Sequence, residues 1–360
     1  MLAKNVEIVY NIENSISKGY LYMYNISPLA LNPNTYHVLQ ILFWVIVSAV
    51  VFGIFFWLLS SVVASVIIYD KTLRRRSKEK WSRTVSSTDE SHLIMDDEGM
   101  EWHRKNIDFK KDVHIVNCGL NLYGEYYDFG SDKCVIILSG RTESLRYGYY
   151  FAQPYAAEGF NVLVIDPRAH GLSDGEFNTV GFEESKDALA WARFIHDNFN
   201  IETIIFHGIC IGAAGGMYAI TSDDCPYYIK AIVTDGMFPN FGESMKNHLR
   251  ERRKPTFPVY KLINKRMIRF TGHSMDFGPI NVIEKLDRPI LMLYSKEDTY
   301  STPEFAVKLF NLVKSEKEFV WFEHGAHSML RYNDSKKYDD SIRAFLSKYI
   351  TNIKSEVSHE

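Results

Sequence analysis

The stretch that decides the fold is "IIFHGICIGAAGGMYAI", residues 204–220. An apolar run reaches Gly208, Cys210 follows, and small residues from Gly212 onward begin a segment of helical character. A Gly-x-Cys-x-Gly turn between such segments predicts a sharp strand-to-helix bend with Cys210 at its tip. A thiol at this position faces the positive end of the helix dipole. The pattern therefore predicts a nucleophilic cysteine in an α/β protein.

A second pentapeptide, "GLSDG" (residues 171–175), matches the serine form of this turn letter for letter. It does not follow its strand directly, because "PRAH" intervenes, and the next residues, "EFNTVGF", have no helical apolar rhythm. We therefore predict that Ser173 is a loop residue and that Cys210 is the nucleophile. The alternative is that Cys210 is a small buried hydrophobic residue, but its position on the turn argues against burial.

Eight short apolar runs alternate with helical stretches after residue 113. Buried strands separated by helices are typical of a mostly parallel sheet with helices on both faces. The predicted strands are 113–117, 121–127, 134–140, 161–166, 201–208, 230–236, 289–295 and 318–325.

Residues 240–280 interrupt this alternation between the sixth and seventh strands. The insertion is rich in lysine and arginine: Lys246, Arg250, Arg252, Arg253, Lys254, Lys261, Lys265, Arg266 and Arg269. One interpretation is a solvated helix face. The other is a small cap over the active site that faces anionic lipid headgroups or an acidic substrate, since ligands bind at the carboxyl ends of the strands.

The segment from Val38 to Tyr69 contains no charged residue. A helix needs roughly 20 apolar residues to span a bilayer, so residues 38–69 are predicted to be a transmembrane helix. A cleaved signal peptide is disfavoured because the run is long and starts far from the N-terminus. Seven lysines and arginines follow between Lys71 and Arg83, and two precede it, so the larger part of the chain is predicted to be cytoplasmic.

Composition limits the other possibilities. A net charge of −3 gives no indication of a nucleic-acid partner. Four scattered cysteines form neither a metal-ligand pattern nor a disulfide framework, and we expect no metal and no organic cofactor. The predicted organisation is an N-terminal tail (1–37), the membrane helix (38–69), a basic and polar linker (70–95), a catalytic domain (96–352) with the cap insertion, and a polar tail (353–360).

Five sequence blocks together resemble the α/β-hydrolase superfamily. They are "LSGRTES", "NVLVIDPRAHGLSDGE", "HGICIGAAGG", "SKEDTYSTP" and "EHGAHSML". Within the superfamily the chain looks like the bacterial membrane-anchored α/β-hydrolases with one N-terminal span. The resemblance implies an α/β-hydrolase fold and the chain order nucleophile, acid, histidine, which here gives Cys210, Asp298 and His327.

The resemblance also implies a role for each residue of this triad. Asp298 would orient His327 and stabilise its imidazolium form, and His327 would act as general base and acid. Asp235, at the end of the sixth strand, is an alternative acid. The "GAH" turn favours His327 over the neighbouring His324.

Backbone N–H groups of Ile211 and Arg141 would form the oxyanion hole. The chain departs from the family pattern at two positions. Ser139 stands where a His-Gly pair commonly opens the loop after the third strand, and Cys210 replaces the usual serine. Dienelactone hydrolase and some other members use a Cys-His-Asp triad, so the replacement does not imply loss of activity.

The expected function is hydrolysis of a small acyl substrate, an ester, thioester or amide, by an enzyme anchored in the lipid bilayer through residues 38–69. Two alternatives remain open: a catalytically silent scaffold that binds a ligand at the membrane, and an acyltransferase. The sequence identifies no protein partner.

Overall fold

The computed structural model describes residues 33–84 and 89–350. Most of the predicted N-terminal tail (1–37) and the polar tail (353–360) lie outside the described residues. The chain forms two compact units that meet within the first helix, one ending at Ser60 and one starting at Ser61.

Helix α1 spans Pro33–Leu73. Apart from the half-buried Val47, the apolar side chains of residues 38–59 are exposed, and the helix is long and apolar enough to cross a membrane. From Ser61 onward, every fourth side chain is buried within the second unit: Ser61, Ser65, Tyr69 and Leu73. The end of the predicted span therefore packs on protein, and residues 38–60 still exceed the roughly 20 residues that a bilayer requires.

The second unit is built on one eight-stranded sheet with the order β1-β2-β4-β3-β5-β6-β7-β8. Strands β1 and β2 are antiparallel to each other, β2 is antiparallel to β4, and all other neighbours are parallel. All eight predicted strands are present: β1 Lys110–Asn117, β2 Leu120–Tyr127, β3 Lys133–Leu138, β4 Asn161–Ile165, β5 Thr203–Ile209, β6 Ile229–Asp235, β7 Ile290–Ser295 and β8 Lys317–Phe322. The predicted fold class is confirmed.

Helices cover both faces of the sheet. One face carries α4 (Phe182–Phe199), α5 (Ile211–Ile220) and α8 (Pro303–Leu312); the other carries α2 (Glu90–Lys105), α3 (Leu145–Ala157), α9 (Leu330–Asn333) and α10 (Ser335–Tyr349). Along β3, Ile136 and Leu138 enter the first core while Val135 and Ile137 enter the second. Successive side chains alternate between two apolar cores, so the sequence of each parallel strand is a continuous hydrophobic run.

Two helices fill the insertion between β6 and β7: α6, Phe241–Glu251, and α7, Val259–Thr271. The side chain of Asn240 caps α6 by accepting a hydrogen bond from the amide of Glu243, 2.9 Å away. The apolar faces of both helices pack in a third cluster with Tyr69 of α1 and with Ile211, the residue after Cys210. The insertion is therefore a helical layer beside the predicted nucleophile.

The basic segment after α1 is not a free connector. The guanidinium group of Arg75 donates to the carbonyl oxygens of Gly171 and Ser173, at 2.9 and 3.3 Å. Arg83 donates from Nε and Nη2 to the fully buried carboxylate of Asp166, at 3.0 and 2.8 Å. The sequence predicted a basic and polar linker over residues 70–95. In the structure, its arginines donate hydrogen bonds to carbonyl and carboxylate groups of the loop after β4.

Replacement of Arg83 by alanine should destabilise the protein by ~2–3 kcal/mol, because it leaves the Asp166 carboxylate buried without its cation. Burial raises the pKa of Asp166, and Arg83 opposes that effect. Arg76→Ala is the matched control, since Arg76 is 60% exposed and its ion pair with Asp70 should contribute less than ~1 kcal/mol. Urea unfolding of the detergent-solubilised chain, followed by tryptophan fluorescence, measures both; equal losses would contradict the prediction.

Candidate active site

Cys210 occupies the sharp turn between β5 and α5. Its backbone has φ 54° and ψ −111°, in the left-handed half of conformational space that non-glycine residues rarely adopt. The glycines on either side permit this turn. A Cβ atom on Gly208 would overlap the backbone of Ala213, and one on Gly212 would overlap the carbonyl of Leu138. The strained position holds the half-buried thiol at the end of the sheet.

The structure brings the three predicted triad residues together. The Nδ1 atom of His327 lies 2.7 Å from Oδ2 of Asp298, and the side chain of Cys210 lies close enough to the imidazole to affect its pKa. The other carboxylate oxygen of Asp298 accepts hydrogen bonds from the amides of Tyr300 and Ser301, both at 2.8 Å. Asp298 is thus fixed by the backbone and in turn fixes the ring of His327.

Two neighbours shape the space around His327. Gly236 has φ +62°, and a Cβ atom there would lie 3.1 Å from Cε1 of His327, so the glycine leaves room for the ring. The ring of Tyr300 lies on another side, with its centroid 5.3 Å from that of His327. Sequence reasoning missed Tyr300, whose only signal is its position two residues after Asp298.

The charges of the triad support one another. Burial by itself would lower the pKa of His327, but the negative charges and hydrogen bonds of Cys210 and Asp298 raise that pKa well above its ordinary value. Burial would raise the pKa of Asp298, but His327 and the two backbone amides hold it below its ordinary value. The carboxylate therefore stays ionised and favours an imidazolium ion opposite the sulfur.

The alternative acid, Asp235, does not contact His327 through a hydrogen bond. Its Oδ2 atom accepts from the hydroxyl of Tyr338 at 3.0 Å, and that hydroxyl also lies 3.1 Å from Nε2 of the buried His207. Within the described part of the chain Oδ1 has no partner. Burial raises the pKa of Asp235 to about 7. Asp235 is a buried neighbour of the triad, and Asp298 takes the position beside Nδ1.

The two amides predicted for the oxyanion hole are free to bind a ligand. Among the described residues, neither the Ile211 N–H nor the Arg141 N–H donates to a protein acceptor. A Cβ atom on Gly140 would lie 3.8 Å from that of Cys210, so this loop passes beside the nucleophile. The buried ring of His170 holds the loop through a 2.6 Å contact with the Arg141 carbonyl. Ser139 is buried beneath it, and its hydroxyl has no partner in the described chain.

Ser173 and His324, which the sequence analysis did not choose as nucleophile and base, form hydrogen bonds away from the candidate site. The hydroxyl of Ser173 donates to the carbonyl of Asp166 at 2.7 Å and accepts from the amide of Tyr123 at 2.9 Å. Both hydrogen bonds hold Ser173 within the loop after β4. His324 is 80% exposed and pairs with Glu297 at 3.0 Å. Neither residue lies beside Cys210.

A cavity of about 530 Å³ opens over the triad. Its walls combine apolar side chains of the β6–α6 region with hydroxyl, imidazole and guanidinium groups. They include Thr72, His92, Arg141, Cys210, Phe238, Phe241, Met245, His248, Tyr300 and His327. The contributions of Thr72 and of the Arg141 side chain were not foreseen, because they depend on α1 meeting the loop after β3.

Residues 133–258 match the family model for the α/β hydrolase fold. A mostly parallel eight-stranded sheet with a nucleophile turn after β5 agrees with that match. The chain has the α/β-hydrolase fold.

Three known proteins are similar to this chain. The uncharacterized protein YqkD of Bacillus subtilis is 27% identical over 218 residues, which are 59% of this chain and 70% of YqkD. The polyketide transferase ATR5 of Stachybotrys chlorohalonatus is 24% identical over 264 residues, 58% of this chain and 86% of ATR5. The esterase Pf2001 of Pyrococcus furiosus superposes with a TM-score of 0.58 at 24% identity, covering 68% of this chain and 93% of the esterase.

Replacement of Asp235 by asparagine should stabilise the protein more at pH 8 than at pH 5. With a folded-state pKa of about 7 and an unfolded value near 4, the folded state alone keeps this proton between those pH values. Stability therefore falls as the pH rises through this window, and at pH 8 a buried charge opposes folding by an amount on the order of a few kcal/mol.

Thermal unfolding of the detergent-solubilised variant at the two pH values measures the effect. Asp298→Asn is the control with the opposite sign. Because the pKa of Asp298 is lowered in the folded state, its carboxylate stabilises the fold at pH values above its unfolded-state pKa. The variant lacks this carboxylate and should be less stable than the parent at both pH 5 and pH 8. A pH-independent effect of Asp235→Asn would contradict the assignment.

Proposed function

We propose that the chain is a membrane-anchored hydrolase that cleaves an ester, thioester or amide through an acyl-enzyme on Cys210. The observation that carries this proposal is the assembly of Asp298, His327 and Cys210, with Cys210 and His327 in the wall of one cavity. An acid hydrogen-bonded to a base beside a nucleophile is the arrangement that covalent catalysis requires.

In the first half-reaction the sulfur of Cys210 attacks the carbonyl carbon, and its electron pair forms the C–S bond. The carbonyl oxygen becomes an oxyanion that accepts hydrogen bonds from the amides of Ile211 and Arg141. When the tetrahedral intermediate collapses, the bond to the leaving group breaks and His327 gives that group its proton. A thioester on Cys210 remains.

In the second half-reaction, His327 takes a proton from water, which attacks the thioester carbonyl. The same two amides hold the second oxyanion, and collapse releases the carboxylic acid and regenerates the thiolate opposite imidazolium. Asp298 keeps one ring orientation and stabilises the positive charge throughout. No step requires a group beyond the residues named.

The anchor in this proposal is the apolar part of α1, and the catalytic unit lies on the cytoplasmic side. The length and composition of α1 support the anchor. The orientation rests on the basic residues that follow it, although the contacts of Arg75 and Arg83 within the domain show that they also serve the fold.

An acyltransferase is the second candidate. The likeness to a polyketide transferase supports it, because transfer to an alcohol or amine uses the same acyl-enzyme and differs only in the second nucleophile. Hydrolysis in water with and without added alcohol or amine acceptors separates the two.

Replacement of Cys210 by alanine should abolish hydrolysis of p-nitrophenyl butyrate in detergent, because no acyl-enzyme can form. Asp298→Asn should lower kcat by roughly 10²–10⁴-fold, as removal of a triad acid does. Asp235→Asn and His324→Ala are the controls and should stay within about tenfold of the parent enzyme. Full activity of the Cys210→Ala variant would contradict the proposal.

Iodoacetamide should alkylate Cys210 faster at pH 6 than Cys118, although Cys118 is exposed. The imidazole of His327 can take the proton of Cys210 as the sulfur attacks, which activates this thiol as a nucleophile. Mass spectrometry of tryptic peptides gives the rate at each cysteine. In His327→Ala the preference should disappear; equal slow labelling in the parent protein would instead support the silent scaffold.

A further inference from the structure

The guanidinium group of Arg141 lines the cavity beside Cys210. Its Nη1 atom donates to the main-chain carbonyl of Thr72 at 3.1 Å. Within residues 33–84 and 89–350, no other hydrogen bond to its side chain is formed, and no carboxylate oxygen lies within 4.0 Å of its guanidinium nitrogens. An arginine that is half-buried in an active-site cavity without a counter-ion is costly unless a ligand supplies the negative charge.

The residues around Arg141 fix its loop but do not supply a negative charge to its guanidinium group. The carbonyl of Arg141 contacts the buried ring of His170, which stacks on Trp81 with centroids 4.5 Å apart. Glu143, also in the cavity wall, accepts a hydrogen bond from the hydroxyl of Thr142, and burial raises the pKa of Glu143. Glu143, the nearest acidic side chain along the loop, is therefore hydrogen-bonded to Thr142, and its burial disfavours the negatively charged form.

The rest of the cavity suits an amphiphilic ligand of low charge. Phe238, Phe241 and Met245 supply an apolar wall, and Ser244 and His248 lie among them. One guanidinium matches one monoanion, and its planar fork can bind a carboxylate or a phosphate. A phosphate dianion would bring surplus negative charge into a cavity whose wall also holds the acidic side chains of Asp89 and Glu251, so the charge balance favours a carboxylate.

We propose that the substrate carries a carboxylate that Arg141 binds while its scissile carbonyl lies at Cys210. This inference deepens the proposed function and rests on it for the identity of the reacting bond. The binding itself does not require turnover, so the two ideas can fail separately.

Two matched pairs of esters test the inference. Mono-p-nitrophenyl glutarate and p-nitrophenyl pentanoate differ in a carboxylate on the acyl side; 3-carboxyphenyl acetate and phenyl acetate differ in one on the leaving side. We expect kcat/KM to favour the anionic ester at least tenfold in one pair. Arg141→Met should reduce that ratio at least tenfold, mainly through KM of the anionic ester, and Arg141→Lys should restore part of it.

Lys246→Met is the matched control, because it removes a cap cation that pairs with Glu243 outside the cavity lining; the ratio should not change. If Arg141→Met lowers kcat/KM equally for both members of each pair, Arg141 serves only the nucleophile, and the inference is overturned. The same holds if the parent enzyme shows no preference in either pair.

Calorimetry of the full-length Cys210→Ala variant separates this inference from the proposed function. Monomethyl glutarate should bind, methyl pentanoate should bind at least tenfold more weakly, and the Cys210→Ala/Arg141→Met double variant should lose the difference. If these binding results are obtained but the parent protein does not hydrolyse esters, the proposed hydrolase function is wrong and the proposed carboxylate-binding site still holds. Absence of monomethyl glutarate binding, or tighter binding of monobutyl phosphate, would overturn the carboxylate assignment.

Discussion

The left-handed backbone at Cys210 is the constraint on which the rest of the site depends. A sharp strand-to-helix turn exists only where the flanking positions lack side chains, and Gly208 and Gly212 leave no space for a Cβ atom. The turn places Cys210 in the wall of the cavity, begins helix α5 directly after it, and leaves the Ile211 amide free of a helical acceptor. The proposed nucleophile and the proposed oxyanion donor thus come from one local distortion, and the hydrophobic cores on both faces of the sheet hold it in place.

The site also requires that side chains of opposite charge lie close together, and these side chains follow three different strands. Asp298 follows β7, His327 follows β8, and Cys210 follows β5. Parallel strands bring their carboxyl ends to one edge, so Cys210 and His327, which are 117 positions apart, meet there. Burial alone would neutralise both the carboxylate and the imidazole, yet each favours the charged form of the other, and the net shifts of their pKa values follow the pairing rather than the burial. For Asp235 the effect of burial exceeds the opposing effects of the Tyr338 hydroxyl and of His327, so its pKa is raised.

The end of helix α1 belongs to the same compact unit as the candidate active site. Tyr69 and Leu73 pack with the insertion helices, the carbonyl of Thr72 holds the guanidinium of Arg141, and the following basic segment is tied to the loop after β4. Because Thr72, near the end of α1, also lines the cavity, this end of the helix is part of the site and does not act as a loose tether. The sequence predicted only a basic and polar linker over residues 70–95.

The sequence by itself determined the eight strands, the location of the nucleophile turn and the rejection of Ser173, because each depends on local periodicity and on glycine spacing along a short stretch. The sequence also named Asp298 and His327, through resemblance and chain order. Only the tertiary structure decided between Asp298 and Asp235, since both follow neighbouring strands and only the distance to Nδ1 distinguishes them. The same holds for the unpaired cation of Arg141 and for the burial of Tyr69: both are set by contacts between segments about 70 residues or more apart, which no local pattern encodes.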